Sequence, residues 1–438
     1  TGTVTNIADR KSRQMLHRAK QKNPAALVVA VGCYVQTGRE DVEQDPCIDL
    51  AIGNNRKKDL ASILEEYLQD LEQEDAVAEN AENAGHGVDK TLHDTTVIDI
   101  NHTAEYEEMT LKQTAEHTRA YIKIQDGCNQ FCSYCVIPYA RGRVRSRRAE
   151  DIIREITGMA QNGYREIVLT GIHISSYGID FDEEAWKRGE SVSVLKEDEE
   201  RRDYSGSSKL IDLLERIHDI EGIERIRIGS LEPRIITEET AARMAALPKL
   251  CPHFHLSLQS GCDATLRRMN RKYTSEEYAE SVALLRKVFD HPAITTDVIV
   301  GFPGETEEEF AQTKEFLDRI QFFEMHIFKY SKRAGTRAAV MSHQVPDPVK
   351  TTRSAELLAM EKEQFRTHYV GREAEVLLEE TKEIGGMEYL LGHTRDYVKL
   401  AVSVKENKKN VANTVICGRV QGFLTDEILL LSPLEFSK

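Results

Sequence analysis

Short apolar runs alternate with amphipathic segments through the middle of the chain. Six runs predict strands, and polar or glycine-rich positions follow them: Ala120–Ile124, Glu166–Leu169, Arg225–Ile228, His253–Leu258, Ile294–Val300 and Glu324–Phe328. Apolar residues at helical spacing predict the helices between them: Ala149–Ala160, Leu210–Ile220, Ile236–Leu247, Ser275–Phe289 and Glu307–Ile320. This alternation predicts a β/α barrel or partial barrel whose chemistry lies at the carboxyl ends of the strands. A doubly wound open sheet is the structural alternative.

The two ends of the chain have different patterns. Near the start, Ala25–Val31 predicts a buried parallel strand that ends at Gly32 and Cys33, with a helix over Ile7–Lys22. Near the end, four short β-like runs predict a small antiparallel barrel: Glu373–Glu380, Tyr397–Val404, Thr414–Val420 and Glu427–Leu431. The chain is therefore predicted to be an α/β multidomain protein with domains over residues 1–95, 118–355 and 371–438.

Two charged stretches interrupt the alternation. Gln69–Asp94 is acidic and rich in Ala, Asn and Gly, which predicts a solvated insertion or linker. Phe181–Ser208 is also highly charged and is predicted to be a surface insertion in the second β/α unit.

Composition limits the class of protein and its expected location in the cell. The 438 residues are 40% hydrophobic and 30% charged, and no stretch approaches the roughly 18 apolar residues of a membrane-spanning helix. No signal peptide is visible, so a cytoplasmic location is expected. The net charge of −15 argues against nonspecific nucleic-acid binding by the whole surface, although Arg10–Lys22 and Arg141–Arg148 are locally basic.

The cysteine pattern carries the clearest chemical signal. There are eight cysteines in a chain without a secretory signal, so metal binding or catalysis is favoured over a disulfide framework. Cys128, Cys132 and Cys135 have the spacing C-x3-C-x2-C on a predicted loop after the first barrel strand. Structural zinc normally takes four ligands, and no Cys or His follows closely downstream. Three cysteines instead leave one iron of a 4Fe-4S cluster open, where radical enzymes bind S-adenosylmethionine (SAM) and split it to a 5′-deoxyadenosyl radical. A zinc site or a redox patch is the alternative.

Several polar residues lie at or near the predicted strand ends. Cofactor contact is predicted for Thr170, Gly171, Glu232, Gln259 and Asp297, with turn chemistry or interior polar packing as the alternative. His253 and His255 alternate along one strand and so share a face. Together with His173, they are interpreted as core or active-face polar residues rather than metal ligands. The basic run of Arg141, Arg143, Arg145, Arg147 and Arg148 predicts either phosphate contacts with RNA or a solvated face.

Nearly the whole sequence resembles the radical-SAM methylthiotransferases, and within them the branch that modifies threonylcarbamoyladenosine in tRNA. The resemblance rests on these segments: Thr3–Gln14, Gly32–Gln36, Lys123–Arg147, His255–Asn270, Thr296–Glu305 and Gly392–Tyr397. The segment around the three cysteines is the most specific for the superfamily, and Tyr134 just before the last cysteine fits the same pattern as a cofactor contact.

The resemblance implies three domains: an N-terminal α/β domain with a second 4Fe-4S cluster, a central radical-SAM partial barrel, and a C-terminal TRAM β-barrel that binds RNA. It implies addition of a methylthio group to carbon 2 of threonylcarbamoyladenosine beside the tRNA anticodon, with flavodoxin or ferredoxin as the type of electron donor. One SAM would supply the radical and another the methyl group. Isopentenyladenosine in tRNA or an aspartate of a ribosomal protein is the alternative substrate. A third hypothesis is a tRNA-binding radical-SAM protein that has lost sulfur insertion.

One position departs from the family pattern. The N-terminal domain of the family holds its auxiliary cluster with three cysteines, and Cys33 matches the last of these. Gly2 stands at the middle position, and the first position would fall upstream of Thr1. Cys33 is therefore expected to be one auxiliary ligand. Either the sequence is an edited fragment, or this copy lacks the auxiliary cluster.

Overall fold

The protein is described by a computed structural model that covers residues 5–79, 95–103, 105–109, 118–181, 205–360, 364–405 and 412–434. The chain divides into two compact units. The first contains Thr1–Met109, Asp126–Arg145 and Ser331–Val340, and the second contains Thr110–Gln125, Ser146–Tyr330 and Met341–Lys438. In the described part of the chain, no helix is long and apolar enough to cross a membrane.

The first unit contains a small parallel sheet. Its strands pair in chain order: β1 (Val29–Val31), β2 (Leu50–Ile52) and β3 (Thr95–Thr96). Its helices are α1 (Asn6–Lys22), α2 (Cys33–Thr37), α3 (Arg39–Glu43), α4 (Leu60–Glu79) and α5 (Ile137–Arg141). The predicted buried strand and its preceding helix are thus confirmed, and Ala30, Tyr34 and Val35 pack in the core beside the strand.

The second unit contains a curled sheet of parallel strands. The strands that form it are β4 (Arg119–Asp126), β6 (Glu166–Gly171), β7 (Arg225–Ile228), β8 (His253–His255), β9 (Ala293–Val300) and β10 (Glu324–Lys329); a two-residue strand, β5, covers Arg145–Ser146. β4, β6 and β7 are neighbours, as are β8, β9 and β10, and parallel bridges from Ile226 to Leu250 and from Leu231 to Leu256 join the two sets. Strand order therefore follows chain order, which confirms the partial barrel and rules out a doubly wound sheet, whose order would reverse.

Helices separate these strands as predicted. They are α6 (Ala149–Gln161), α7 (Ser205–His218), α8 (Glu238–Ala245), α9 (Asp263–Arg268), α10 (Ser275–Val288), α11 (Glu307–Ile320) and α12 (Asp347–Leu358), with α13 (Gln364–Thr367) after them. Local sequence explains several helix starts. At α11 the hydroxyl of Thr306 accepts a hydrogen bond from the Glu309 N–H, and the Glu309 side chain bonds back to the Thr306 backbone. Thr274 and Glu277 form the same capping box at α10.

The last segment of the chain forms a closed five-stranded barrel. Its strands are β11 (Glu373–Ile384), β12 (Met387–His393), β13 (Lys399–Ser403), β14 (Val415–Phe423) and β15 (Leu429–Pro433). They close in the order β11-β12-β13-β15-β14, with every pair antiparallel except β13 and β15. The predicted small barrel is confirmed. The four predicted runs omitted β12, which the barrel needs between β11 and β13.

The predicted insertions fall largely outside the described residues. α4 continues to Glu79, so the first ten or so residues of the predicted linker are helical, and residues 80–94 are not described. Of the predicted insertion at Phe181–Ser208, residues 182–204 are likewise outside the described ranges.

Candidate active site

The three clustered cysteines lie on one loop in the first unit. β4 ends at Asp126, and Cys128 follows two residues later. The loop is held by its own backbone, because the Cys128 N–H donates to the Gly142 carbonyl at 3.0 Å and the Cys135 N–H donates to the Cys132 carbonyl at 2.9 Å. Tyr134 is half-buried between the last two cysteines. The loop therefore presents three thiols from a short, well-bonded turn.

Gly127 is required by the path of this loop. Its φ is +72°, and a Cβ placed there would lie 1.8 Å from the carbonyl oxygen of Arg143. The backbone of residue 127 thus runs directly against the segment that follows α5, which no larger residue allows. Asp126 closes the same turn, since its Oδ1 accepts the Gly127 N–H at 2.9 Å.

The three loop cysteines are not one of the compact ligand groups found among the described residues. Thiolates that share one tetrahedral zinc ion lie about 3.8 Å apart. Within the described residues, only two groups of potential ligands have all their ligand atoms within 4.8 Å of one another, and Cys128, Cys132 and Cys135 are not among them. In an iron–sulfur cluster the cysteines bind different irons, so wider spacing is expected. The Gln130 N–H also points at the Cys128 sulfur at 3.5 Å, which stabilises a thiolate there.

The basic run after the loop is only partly accessible. Arg145 and Arg147 are 2% and 3% exposed. Arg147 is ion-paired with Glu155, and an Arg145 guanidinium nitrogen lies 3.8 Å from an Asp126 carboxylate oxygen. These buried, ion-paired charges are directed to partners inside the protein, so Arg145 and Arg147 are not carried forward as phosphate contacts.

The other three arginines of the run keep contact with solvent. Arg148 is exposed, and Arg141 and Arg143 are half-buried. The Arg143 guanidinium lies 4.6 Å from the centre of the Phe131 ring, and the exposed Tyr139 ring meets Phe131 edge-on at 5.9 Å. This places a cation beside two aromatic rings next to the cysteine loop, a combination that suits single-stranded RNA.

The polar strand-end residues of the second unit form neighbouring groups. Thr170 and Gly171 end β6, and Glu232 follows β7, the next strand of the sheet. A Cβ on Gly171 would lie 2.7 Å from the Ile174 side chain and 3.0 Å from the Gln125 carbonyl oxygen, so the chain is tightly packed here. Parallel pairing brings the carboxyl ends together, as the sequence pattern predicted.

Of the residues that surround Glu232, the sequence pattern predicted His173 as a core or active-face polar residue and gave no role to Gln125 or Ser175. The Gln125 side-chain oxygen accepts the His173 N–H at 2.8 Å, and His173 Nε2 lies 3.4 Å from Glu232 Oε2. The Glu232 N–H donates to the Ser175 hydroxyl at 2.9 Å. The signal available in the sequence was that His173 and Ser175 closely follow the Thr-Gly pair of β6.

Gln259 and Asp297 are joined by backbone hydrogen bonds of neighbouring segments. The Gln259 N–H donates to the Asp297 carbonyl at 2.8 Å, and the Gln259 carbonyl accepts the Ile299 N–H at 2.9 Å. Gln259 has φ of +72°, uncommon for a residue with a side chain. Backbone strain of this kind is concentrated at functional sites, which supports a role for Gln259.

Cys33 lies in the first unit, at the start of α2. It is buried, and the Asn54 side-chain amide donates to its sulfur at 3.4 Å and to the Ala140 carbonyl at 2.6 Å. Position 2 of the chain lies outside the described residues. Among the described residues, Cys33 is therefore the one thiol at a position that matches the auxiliary ligands of the resembled family.

Comparison with known proteins gives consistent results. Residues 122–317 match the Radical SAM superfamily. The threonylcarbamoyladenosine tRNA methylthiotransferase MtaB of Bacillus subtilis is 35% identical over 93% of this chain and 82% of its own length. MtaB of Aquifex aeolicus is 37% identical over 88% of this chain and 83% of its own length. The tRNA-2-methylthio-N(6)-dimethylallyladenosine synthase of a Thermoanaerobacter species is 36% identical over 82% of this chain and 68% of its own length.

Proposed function

We propose that this chain is a radical-SAM enzyme that adds a methylthio group to carbon 2 of threonylcarbamoyladenosine in tRNA. The chain belongs to the family of threonylcarbamoyladenosine tRNA methylthiotransferases, and the proposal proceeds from that membership. The observation that carries the proposal is the loop of Cys128, Cys132 and Cys135 within the matched Radical SAM residues. The target carbon is unactivated, so a radical route to it is chemically reasonable.

The three loop cysteines would hold a 4Fe-4S cluster. When bound and reduced, this cluster supplies the electron that cleaves SAM. The protein's part is to fix the three thiols, and it does so through the Cys128–Gly142 backbone hydrogen bond and the sterically required Gly127. A proton on any of these sulfurs would prevent ligation, so the N–H donated to the Cys128 sulfur favours the bound form.

Polar groups at the strand ends are proposed to orient SAM. Thr170 and Gly171 offer a hydroxyl and closely approachable backbone, and Glu232 offers a carboxylate suited to an amino group. The side chain of Gln259 suits a ribose hydroxyl. Tyr134 is proposed as a cofactor contact from its place in the cysteine motif. This is supported by the parallel pairing of the strands, which brings these groups to the same edge of the sheet, at the carboxyl ends of its strands.

The RNA contacts are proposed to come from Arg141, Arg143 and Arg148 and from the C-terminal barrel, which we propose is a TRAM domain. The anticodon loop is the part of the tRNA that carries the target base. Flavodoxin or ferredoxin is proposed as the electron donor. A cytoplasmic location fits both a tRNA substrate and a set of eight cysteines that form no disulfide within the described residues.

The family's second cluster forms no part of the proposed reaction. Cys33 is the only residue at a matching position among those described, so no step is assigned to a second cluster. The second candidate is a tRNA-binding radical-SAM protein without sulfur insertion, and it is motivated by Gly2 at the middle position of the family's auxiliary pattern.

A product assay separates these functions. The full chain is reconstituted anaerobically with iron and sulfide, and is then incubated with SAM, dithionite and tRNA bearing threonylcarbamoyladenosine. Nucleosides are analysed by mass spectrometry for the methylthio product. Cys128→Ala is the inactive control, because it removes a cluster ligand.

Each outcome selects one function. The methylthio product from this tRNA, absent in Cys128→Ala, supports the proposal. Product only from tRNA bearing isopentenyladenosine, or only on a ribosomal protein aspartate, refutes the substrate assignment. Cleavage of SAM with no methylthio product on any of them supports the second candidate.

A further inference from the structure

Three potential metal ligands meet across β8, β9 and β10 of the second unit. His255 ends β8, Asp297 lies within β9, and His326 lies within β10. The parallel register pairs His326 with Asp297 and His255 with Thr295. One ligand atom from each of the three side chains lies within 4.8 Å of the other two. This group of three ligands therefore consists of two imidazoles and one carboxylate on neighbouring strands.

The distances match ligands around an ion better than a hydrogen bond. His255 Nε2 lies 3.4 Å from Asp297 Oδ2 and has no hydrogen-bond partner among the described residues. A hydrogen bond from imidazole to carboxylate is about 2.7–2.9 Å long. Two ligand atoms about 2.0–2.1 Å from one tetrahedral ion lie about 3.3–3.4 Å apart. The separation of this pair therefore has the length expected for two ligands of one such ion, and the third ligand atom lies within 4.8 Å of both.

The hydrogen bond to His255 and the exposure of His326 both favour metal binding by these three side chains. His255 Nδ1 lies 3.0 Å from the buried Thr295 hydroxyl, which leaves Nε2 as the free ring nitrogen. Metal-bound histidines nearly always place their other ring nitrogen on such a partner, which sets the tautomer. The rings of His255 and His326 are nearly parallel, at 20°, with centres 5.8 Å apart. The His326 side chain is 47% exposed, so coordination positions on that side are open to solvent.

Two other groupings in the described residues lack this geometry. His17, Asp45 and Cys47 also come within 4.8 Å, but His17 and Asp45 are joined by a hydrogen bond of 2.7 Å. His173 and Glu232 show a 3.4 Å separation, but no third ligand completes a group there among the described residues.

We propose that His255, Asp297 and His326 bind a divalent cation of the zinc class, separate from the iron–sulfur cluster. Nitrogen and carboxylate donors suit these ions, and three protein ligands leave at least one position for water or an anionic oxygen of a ligand. This gives Asp297 a role other than the cofactor contact expected from its sequence position. It also revises the interpretation of His255 as merely a polar residue of the face. The site does not depend on whether the chain performs methylthiolation.

Zinc is the probe for the test. The cluster-reconstituted full chain is dialysed against buffered free zinc, and zinc and iron per chain are counted by mass spectrometry. The variants are His326→Gln, Asp297→Asn and Thr295→Val. His102→Gln is the matched control, because His102 forms an exposed pair with Asp99 at 2.8 Å elsewhere in the protein. X-ray absorption spectroscopy at the zinc edge identifies the ligand atoms, since sulfur lies about 2.3 Å from zinc and nitrogen or oxygen about 2.0–2.2 Å.

The expected result is about one zinc per wild-type chain with only nitrogen and oxygen neighbours. His326→Gln and Asp297→Asn should lose zinc while retaining the iron of the wild type, and His102→Gln should retain both. Thr295→Val should weaken zinc binding roughly 10- to 100-fold, as loss of a partner to a ligand does. No retained zinc, zinc bound equally by the variants, sulfur in the zinc shell, or loss of zinc only together with iron would each overturn the proposal.

Discussion

Replacing Glu166 by glutamine removes a buried negative charge that three arginines share at the amino ends of the strands. The Glu166 side chain is fully buried, with Oε1 at 2.5 Å from Arg119 Nε and 2.6 Å from Arg227 Nε. Oε2 lies 3.7 Å from Arg225 Nη1. Although burial by itself would raise the pKa of Glu166, the guanidinium groups of Arg227 and Arg119 lower it below its ordinary value. Its charge therefore stabilises the fold above the pKa of the unfolded chain, and this stabilisation is lost as the pH falls through the lower folded pKa.

The same arginines hold the C-terminal barrel against the sheet. Arg119 is also ion-paired with Glu379, and Arg225 Nη2 lies 2.7 Å from Glu375. Arg227 donates its remaining N–H groups to the Thr394 and Arg395 carbonyls at 2.7 and 2.8 Å. Two of the arginines thus keep a carboxylate in the Glu166 variant, whereas Arg227 keeps these two neutral carbonyl acceptors.

The expected cost follows from this arrangement. Breaking a buried ion pair by removing one partner costs about 3–5 kcal/mol, and the remaining carboxylates place this case near the lower figure, about 3 kcal/mol. With an unfolding entropy of about 2.1 cal/mol/K per residue, each kcal/mol lowers the Tm of a unit of about 300 residues by roughly 1.6 °C, so Tm should fall by roughly 5 °C. Glu224→Gln is the matched control, because the Glu224–Arg165 pair at 2.6 Å is exposed on both sides. Exposed pairs contribute at most about 1 kcal/mol.

The assay is thermal unfolding of both variants and the wild type, followed by circular dichroism at pH 7.5. A second readout is the rate at which protease releases the C-terminal barrel, which should rise in Glu166→Gln. If Glu166→Gln melts within about 2 °C of the wild type, or no lower than Glu224→Gln, the charge of Glu166 does not hold the network together and the reasoning is wrong.

Three further predictions concern a histidine, a glycine and an exposed arginine. Burial lowers the pKa of His253 to about 3, so the folded state keeps it neutral while the unfolded chain takes up a proton near pH 6.5. The stability that this residue contributes is complete above that pH and falls by about 2 kcal/mol between pH 7 and pH 5. His253→Gln should therefore reduce the difference in Tm between these two pH values. An unchanged difference would contradict the assignment. Gly127→Ala should reduce iron incorporation to less than half, since its Cβ would lie 1.8 Å from a carbonyl oxygen, whereas Gly163→Ala, which meets no atom within 4 Å, should retain iron. Equal iron content in the two variants would show that the loop tolerates the side chain. Arg148→Ala should weaken tRNA binding in a filter-binding assay and lower the slope of log affinity against log salt concentration by about 0.7–0.9. Arg154, an exposed arginine on α6, provides the control. The same loss of tRNA affinity in Arg154→Ala would mean that Arg148 makes no particular contact.

Local patterns predicted the parts of the protein whose causes are local. The period of apolar residues and the Thr306–Glu309 capping box determine α11, whose predicted bounds agree with the structure. The spacing of Cys128, Cys132 and Cys135 likewise predicts cluster ligation, because thiolate chemistry and loop length are properties of a short segment. Thr170, Gly171 and Glu232 could likewise be placed at strand ends because they follow apolar runs directly in the chain, whereas Asp297 lies within its strand.

Strand order and closure could not be predicted with the same certainty. Alternating strands and helices are compatible with a partial barrel and with a doubly wound sheet, and the choice depends on which strands pair. Bridges such as Leu231 to Leu256 settle it by placing β8 next to β7. β12 was missed because its pairing with β11 and β13, rather than its own composition, makes it a strand.

By itself, the sequence determined the chemistry of the cysteine loop, the alternation of elements and the family. Only the tertiary structure decided which charges are available, because burial depends on segments distant in the chain. It turned Arg147 inward onto Glu155 while Arg148, the next residue, stayed exposed. It also gathered His255, Asp297 and His326 from three strands into one group, which no spacing in the chain reveals, since their proximity is created by the parallel register of β8, β9 and β10.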